Sequence, residues 1–511
     1  MKETNTGLID PGSLRKRSMT SLKVDDIYTD KMVIPANKAF TIAGQAVVGA
    51  TVEVKLANQL VSTQADATGA WVVEIAPLPE KITTTITVTS LDEKLTINEV
   101  RTGTVLLLTG QSNIEFKFRD DSEYQEQIDQ LNLQNVYFYN VPQLEYQDEN
   151  HVLPVDLEKS VWQIADEKTL WEMSDIGYWM AKRLHEIDST MVIGIIDCYK
   201  GGTSASSWVP EEILQSDPEL VNRYIKPFKA ATTGKTKVDY DQEFKSYNAL
   251  VEKHNTDLAK FMKENPQVSL SDAKDKVGHT PWPPPMTPTS YLRPNGLFHT
   301  MIEQVKHYAF NKVIWYQGEN DADNPDVYAK LLRGLILSWR KLFNDRALPF
   351  YVVQLPGYFD EPEDAWPTIR QNQLQVAQTV NDVHLISIAD TGETHNIHPT
   401  HKRIAGTRIG TVVSGISYDG TPTVYRHEII DNKLILFVDK VSALVERGKI
   451  VFMLDRNGEW ETQEAQIVGS TIVINQIQGV KKIRYEFKND PDCTIFNEIG
   501  APLAPFEMEI G

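Results

Sequence analysis

Hydrophobic and polar positions alternate along the first part of the chain and then stop alternating. TVEVKLA (51–57), AWVVEIA (70–76) and TTITVTS (84–90) place apolar residues at every second position, with turn residues such as Asp66 to Gly69 between them. A period of two with regular turns predicts a small β-sandwich over residues 31–101. At TVLLLTG (104–110) the apolar run becomes continuous, the pattern of a strand covered on both faces in a parallel sheet. Equivalent runs recur at NVYFYNV (135–141), MVIGIID (191–197), KVIWYQG (312–318), PFYVVQL (349–355) and VHLISIA (383–389). Between them the apolar period lengthens to that of a helix: LWEMSDIGYWMAKRLHEI (170–187) sets Met173, Ile176, Met180 and Leu184 on one stripe. DVYAKLLRGLILSWRKLF (326–343) and PTIRQNQLQVAQTV (367–380) read as two further helices.

Alternating strands and helices predict an α/β unit with a mostly parallel sheet over residues 102–417. Residues 209–290 interrupt it with a polar, partly helical segment that ends in the proline-rich TPWPPPMTPTSY. That stretch cannot be a central helix or strand, so the segment is read as an insertion beside the α/β unit, a lid or one wall of a cleft. From residue 418 to 511 short alternating strands return, as in KLILFVD (433–439) and GKIVFML (448–454), and predict a C-terminal β domain. Residues 1–30 read as an extension carrying the basic cluster Arg15, Lys16 and Arg17. No apolar stretch of secretory length follows the cluster, so a cytoplasmic protein is expected. No run is long enough to span a bilayer, which argues against a membrane partner.

Candidate chemistry sits at the ends of four predicted strands. TGQSN (109–113) follows the first buried strand, and Ser112 would project at its carboxyl end, where α/β folds bind ligands. A turn or a helix cap would use the same residues. YKGGTSASSW (199–208) pairs two glycines after a strand, and Gly202 offers a backbone N–H to a ligand; a tight strand–helix turn is the alternative. WYQGENDAD (315–323) brings Asn320, whose side-chain amide suits an oxyanion hole, among the polar Gln317, Glu319 and Asp321; a structural hydrogen-bond network competes with that reading. ADTGETHNIHPTHKRIAG (389–406) holds His395, His398 and His401 on a loop. The spacings fit no zinc signature, so no metal is expected.

The order Ser, Gly, Asn, His resembles the four blocks of the SGNH hydrolases, and the match is closer to the sialate O-acetylesterase family. GQSNIEF, GGTSASSW, RPNGLFHTMI with VIWYQGEND, and IHPTHK carry it. The N-terminal β region and the C-terminal run from KKIRYEF to CTIFNEIGAPLAPFEM resemble the family too. The resemblance implies a three-layer α/β/α unit of the SGNH type flanked by β-sandwich-like domains. It also implies a serine esterase that removes O-acetyl groups from sialic acid or a related sugar through an acetyl-serine, without a cofactor. Ser112 would be the nucleophile and His398 its base, with Gly202 and Asn320 completing the oxyanion hole. The acid that many relatives carry two or three residues before the histidine is missing, since Asn396 and His395 stand there. Asp390, Glu393 and Glu319 are the candidates to replace it, or the pair acts as a dyad. Gln111, Gln317, Glu319 and Arg370 are candidate substrate contacts, Arg370 as the cation for a carboxylate or sugar hydroxyls.

A formal net charge of -19 repels phosphate backbones and argues against a nucleic-acid partner. It also makes any cation in the cleft more telling. The two cysteines, Cys198 and Cys493, lie in segments that read as strands and point to no disulfide framework. Two alternatives share the same residues: an esterase of acetylated xylan or pectin, and a carbohydrate-binding protein without catalysis.

Overall fold

The computed structural model describes residues 21–129, 131, 133–146, 160–415 and 420–510. The basic cluster Arg15 to Arg17 lies outside them. The polypeptide is a mixed α/β protein with several sheets. The alternating N-terminal segments form antiparallel strands, and Thr51–Leu56 turns its residues exposed and buried in strict succession. Lys23–Val24, Phe40–Gln45 and Ala70–Ile75 make a three-stranded sheet.

Val33–Pro35 and Thr83–Ser90 pair with the outer half of one long strand, β1 (Glu93–Gly110, 18 residues), while Thr51–Leu56 pairs with Thr83–Ser90 and Gln59–Gln64. The expected boundary at 101/102 therefore falls inside a continuous strand. The inner half of β1 is the centre of a parallel sheet with β2 (Val136–Asn140), β3 (Ile193–Tyr199), β4 (Lys312–Tyr316), β5 (Phe350–Gln354) and β6 (Val383–Ser387). Their order is β2-β3-β1-β4-β5-β6, and a short antiparallel strand, Gln163–Ile164, edges β2. Every residue of β3 is buried, which explains the unbroken apolar runs.

Short helices and long ones separate these strands: α1 (Ser112–Glu115), α2 (Asp175–Ile187), α3 (Lys237–Glu264), α4 (Leu270–Val277), α5 (Tyr328–Leu342), α6 (Ala365–Thr379) and α7 (Arg403–Ser414). α2 packs on α7, and α5 on α6. The insertion holds α3 and α4, which pack on each other. α3 opens with a capping box, Thr236 and Asp239 bonding each other's backbone N–H. α3 buries one residue, His254, as its polar sequence requires.

After residue 420 a seven-stranded antiparallel sheet closes the chain. Both cysteines are free thiols. Cys198 lies in β3 as expected, but Cys493 sits in an irregular segment between strands, not in one.

Candidate active site

Three of the four blocks leave the sheet at one level. Gly110 at the end of β1 is in register with Tyr199 of β3 and with Tyr316 of β4. The next residues, Gln111–Ser112, Lys200–Gly202 and Gln317–Asn320, must therefore emerge side by side. Gly110 has φ 141°, and a Cβ there would lie 1.9 Å from the Tyr316 carbonyl oxygen, so only glycine lets the chain turn into α1 at this point.

Ser112 opens α1, and its Oγ lies 2.7 Å from His398 Nε2. His398 comes from the loop after β6. Its backbone is held by Asn396, whose Oδ1 accepts from the His398 N–H at 3.3 Å and whose Nδ2 donates to the His398 carbonyl at 2.8 Å. Lys274 of α4 donates to the same Oδ1 at 2.6 Å. Glu393 closes the loop by accepting from Asn396 Nδ2, Thr400 N and Thr400 Oγ1.

No carboxylate among the described residues hydrogen-bonds the His398 ring. Asp390 is taken by Arg408 through two bonds of 2.6 and 2.9 Å. Glu393 is spent on the loop backbone. Glu319 accepts from Asn113 Nδ2 at 2.7 Å. None of the three acid candidates hydrogen-bonds the ring, and among the described residues Ser112 and His398 meet as a pair without a third member. Burial pulls the imidazole down to about 3, with the charges of Lys402 and Lys274 adding to it. The ring is neutral at pH 7, the state a general base needs.

The residues of the three candidate donors line one cleft. Ser112 N is the first N–H of α1 and has no acceptor within the helix. Gly202 N and Asn320 Nδ2 make no hydrogen bond to a described residue. Asn320 is oriented from both ends: its N–H donates to Gln111 Oε1 at 3.2 Å, and its Oδ1 accepts from the Trp282 indole at 3.1 Å. With Oδ1 so occupied, Nδ2 is left for a ligand. Trp282 also covers Gly202 (φ 69°), where a Cβ would sit 2.2 Å from the ring. Glu115 accepts from the Gly201 N–H and from Gln143 Nε2, fixing the glycine turn.

The dyad opens into a cleft of about 720 Å³. Gln111, Ser112, Gly202, Glu319, Asn320 and His398 line it. Gln317 does not. It is fully buried and supports the site from below, donating to Gln111 Oε1, Thr203 O and Asp321 Oδ2. Glu319 is pushed up to about 7 by burial, against the pull of its Asn113 bond.

Arg370 is not a cleft residue. Its guanidinium is fully buried and donates to the carbonyls of Leu355, Pro356, Lys488 and Asn489. It ties α6 to the C-terminal β region. The insertion supplies a wall instead, through Lys274, His279, Thr280, Trp282 and Pro283. Sequence reasoning missed these residues. The tryptophan within a proline-rich stretch was the available signal.

The three loop histidines part company. His395 Nδ1 bonds Asp360 at 2.9 Å, and His401 Nδ1 meets Ser122 Oγ at 2.8 Å. Among the described residues no group of His, Cys, Asp and Glu is placed to hold a metal ion.

This parallel sheet, with a Ser–His pair beyond its strand ends, has the carbohydrate esterase fold. The crystal structure of a carbohydrate acetylesterase from Xanthomonas citri shares it at a TM-score of 0.73, with 20% identity, covering 96% of this chain and 100% of that one. Within that class part of the chain is similar to the sialate O-acetylesterase family. Residues 282–411, which take in the third and fourth blocks, match the family described as carbohydrate esterase, sialic acid-specific acetylesterase. A sialate O-acetylesterase of Mus musculus is 24% identical over 361 residues, 64% of this chain and 58% of that protein. One of Rattus norvegicus is 36% identical over 87 residues, 15% of this chain and 16% of that protein. The aligned part of the chain thus spans less than two thirds of the mouse relative's length.

Proposed function

We propose that this protein is a serine esterase that removes O-acetyl groups from sialic acid or a related sugar. The contact that carries the reading is Ser112 Oγ to His398 Nε2 at 2.7 Å, in a cleft that Gly202 and Asn320 also line. In this reading residues 102–417 form the SGNH-type three-layer catalytic unit, and the β domains at 31–101 and 418–511 flank it.

His398 takes the proton of Ser112 as Oγ attacks the acetyl carbonyl. The oxyanion is received by Ser112 N, Gly202 N and Asn320 Nδ2. His398 then protonates the sugar oxygen, which leaves. Water enters, gives its proton to His398 and attacks the acetyl-serine, and acetate departs as Ser112 regains its proton. The imidazolium of each step has no carboxylate beside it. Its loop is instead pinned through Asn396, so orientation comes from the backbone.

The test is acetate release from an O-acetylated sugar by the wild type, Ser112→Ala and His398→Ala. Each substitution should cost about 10⁴-fold or more in kcat, with sugar binding retained. A Ser112→Ala protein that still releases acetate at the wild-type rate refutes the assignment.

A further inference from the structure

The balance of charge in the cleft opposes an anionic substrate. Five carboxylates line it, those of Glu115, Glu319, Asp323, Asp360 and Glu361. The lining lysines are Lys200 and Lys274, and both are engaged, as is the imidazole of His279. Lys200 Nζ lies 2.9 Å from Glu145 Oε1 and donates to Gln143 Oε1 at 3.2 Å. Lys274 donates to Asn396, and burial lowers its pKa. His279 Nε2 lies 2.8 Å from Asp360 Oδ2. Arg370, the cation expected from the sequence, faces four carbonyls away from the cleft.

The acids are less well matched. Glu319 is 4% exposed and its Oε2 has no partner. The Asp323 and Glu361 carboxylates make no hydrogen bond to a described residue. Burial, and then the charges of Asp323 and Asp360, push Glu361 up to about 7. A group of unpaired carboxyls accepts hydrogen bonds from hydroxyls and repels another carboxylate. Trp282, 49% exposed on the same cleft, offers a ring face for the apolar side of a pyranose.

We propose that the cleft selects an uncharged acetylated sugar, with Asp323 and Glu361 accepting its hydroxyls, and discriminates against a sugar that bears a carboxylate. This rests on the reading of Ser112 as an esterase nucleophile and narrows the substrate of that reading to a related, uncharged sugar, setting sialic acid, a sugar acid, aside.

The experiment compares acetate release from one O-acetylated sugar acid and from the methyl ester of the same molecule, with p-nitrophenyl acetate as the control for the nucleophile. The methyl ester should show a kcat/KM about tenfold or more above the acid at low salt, from like-charge repulsion. The gap should narrow as ionic strength rises and in the double variant Asp323→Asn/Glu361→Gln. An acid turned over as fast as its ester overturns the proposal. So does a gap that the double variant leaves unchanged. If p-nitrophenyl acetate is cleaved in a Ser112-dependent way and both sugars are inert, the cleft takes no such sugar and the proposal fails while the esterase reading stands. If p-nitrophenyl acetate is not cleaved either, the esterase reading falls and takes the proposal with it.

Discussion

At position 396 the side chain has to donate as well as accept. Asn396 Nδ2 serves Glu393 Oε2 at 2.7 Å and the His398 carbonyl, while its Oδ1 serves Lys274 and the His398 N–H. An aspartate would set one carboxylate against another and leave the carbonyl facing an acceptor. The missing acid is therefore part of a different way of holding the histidine. The consequence is measurable in the pH–rate profile. With the imidazole held at about 3, protonation removes the base only as pH falls towards that value. Level kcat/KM from pH 8 down to about pH 5 is expected, where a histidine at its ordinary ~6.5 would already be mostly protonated. Glu319 at about 7 titrates within the same window, so the profile is taken in Glu319→Gln as well. An acid limb centred near 6.5 in both proteins contradicts the expectation. Trp282 gives a second residue-scale test. Trp282→Phe keeps a ring over Gly202 but frees the Asn320 amide to rotate. A complete loss of such a donor costs ~10²–10³ in kcat, so misorientation should cost about tenfold, with KM unchanged. In an Asn320→Ala background the substitution should add nothing, because the two act as one unit.

At the scale of elements, the chain's hydrophobic periods reported the sheet well. β4, β5 and β6 lie within a residue or two of the apolar runs that predicted them, and α3 spans the helical stretch of the insertion. Ser112, Gly202, Asn320 and His398 were legible because each follows a buried strand, and strand ends converge in a parallel sheet. What was not legible depends on distant backbone. Arg370 looks like a surface cation on α6, yet its partners are carbonyls in the loop after β5 and at residues 488 and 489, which no local period announces. Its role predicts a stability defect in place of a binding defect. Arg370→Ala leaves four buried carbonyls short of a donor and should lower unfolding free energy by about 3 kcal/mol or more, read from denaturant melts of folded protein with KM unchanged. Arg370→Lys should rescue little, since an ammonium cannot reproduce the planar fork. A raised KM with unaltered stability would return Arg370 to the substrate. The cleft wall was equally hidden: Lys274 and Trp282 lie in polar and proline-rich sequence that has no periodicity to read.

Across the whole molecule, Ser112 and the wall of its cleft come from separate stretches of chain, the one from strand ends and the other from an insertion. The two are joined by a few polar contacts, Trp282 to Asn320 and Lys274 to Asn396 among them. The N-terminal strands are joined to Ser112 through the backbone itself. β1 begins among them and ends at Gly110, two residues short of Ser112, without a break. This strand of 18 residues has one bend, a bulge where its register with Thr83–Ser90 shifts and Glu99 takes a φ of 54°, and beyond it the strand runs on to Gly110. A push on the strands paired outside that bulge is taken up there, whereas one on Val33–Pro35, which pairs with Arg101–Gly103, bears directly on the length that ends beside the serine.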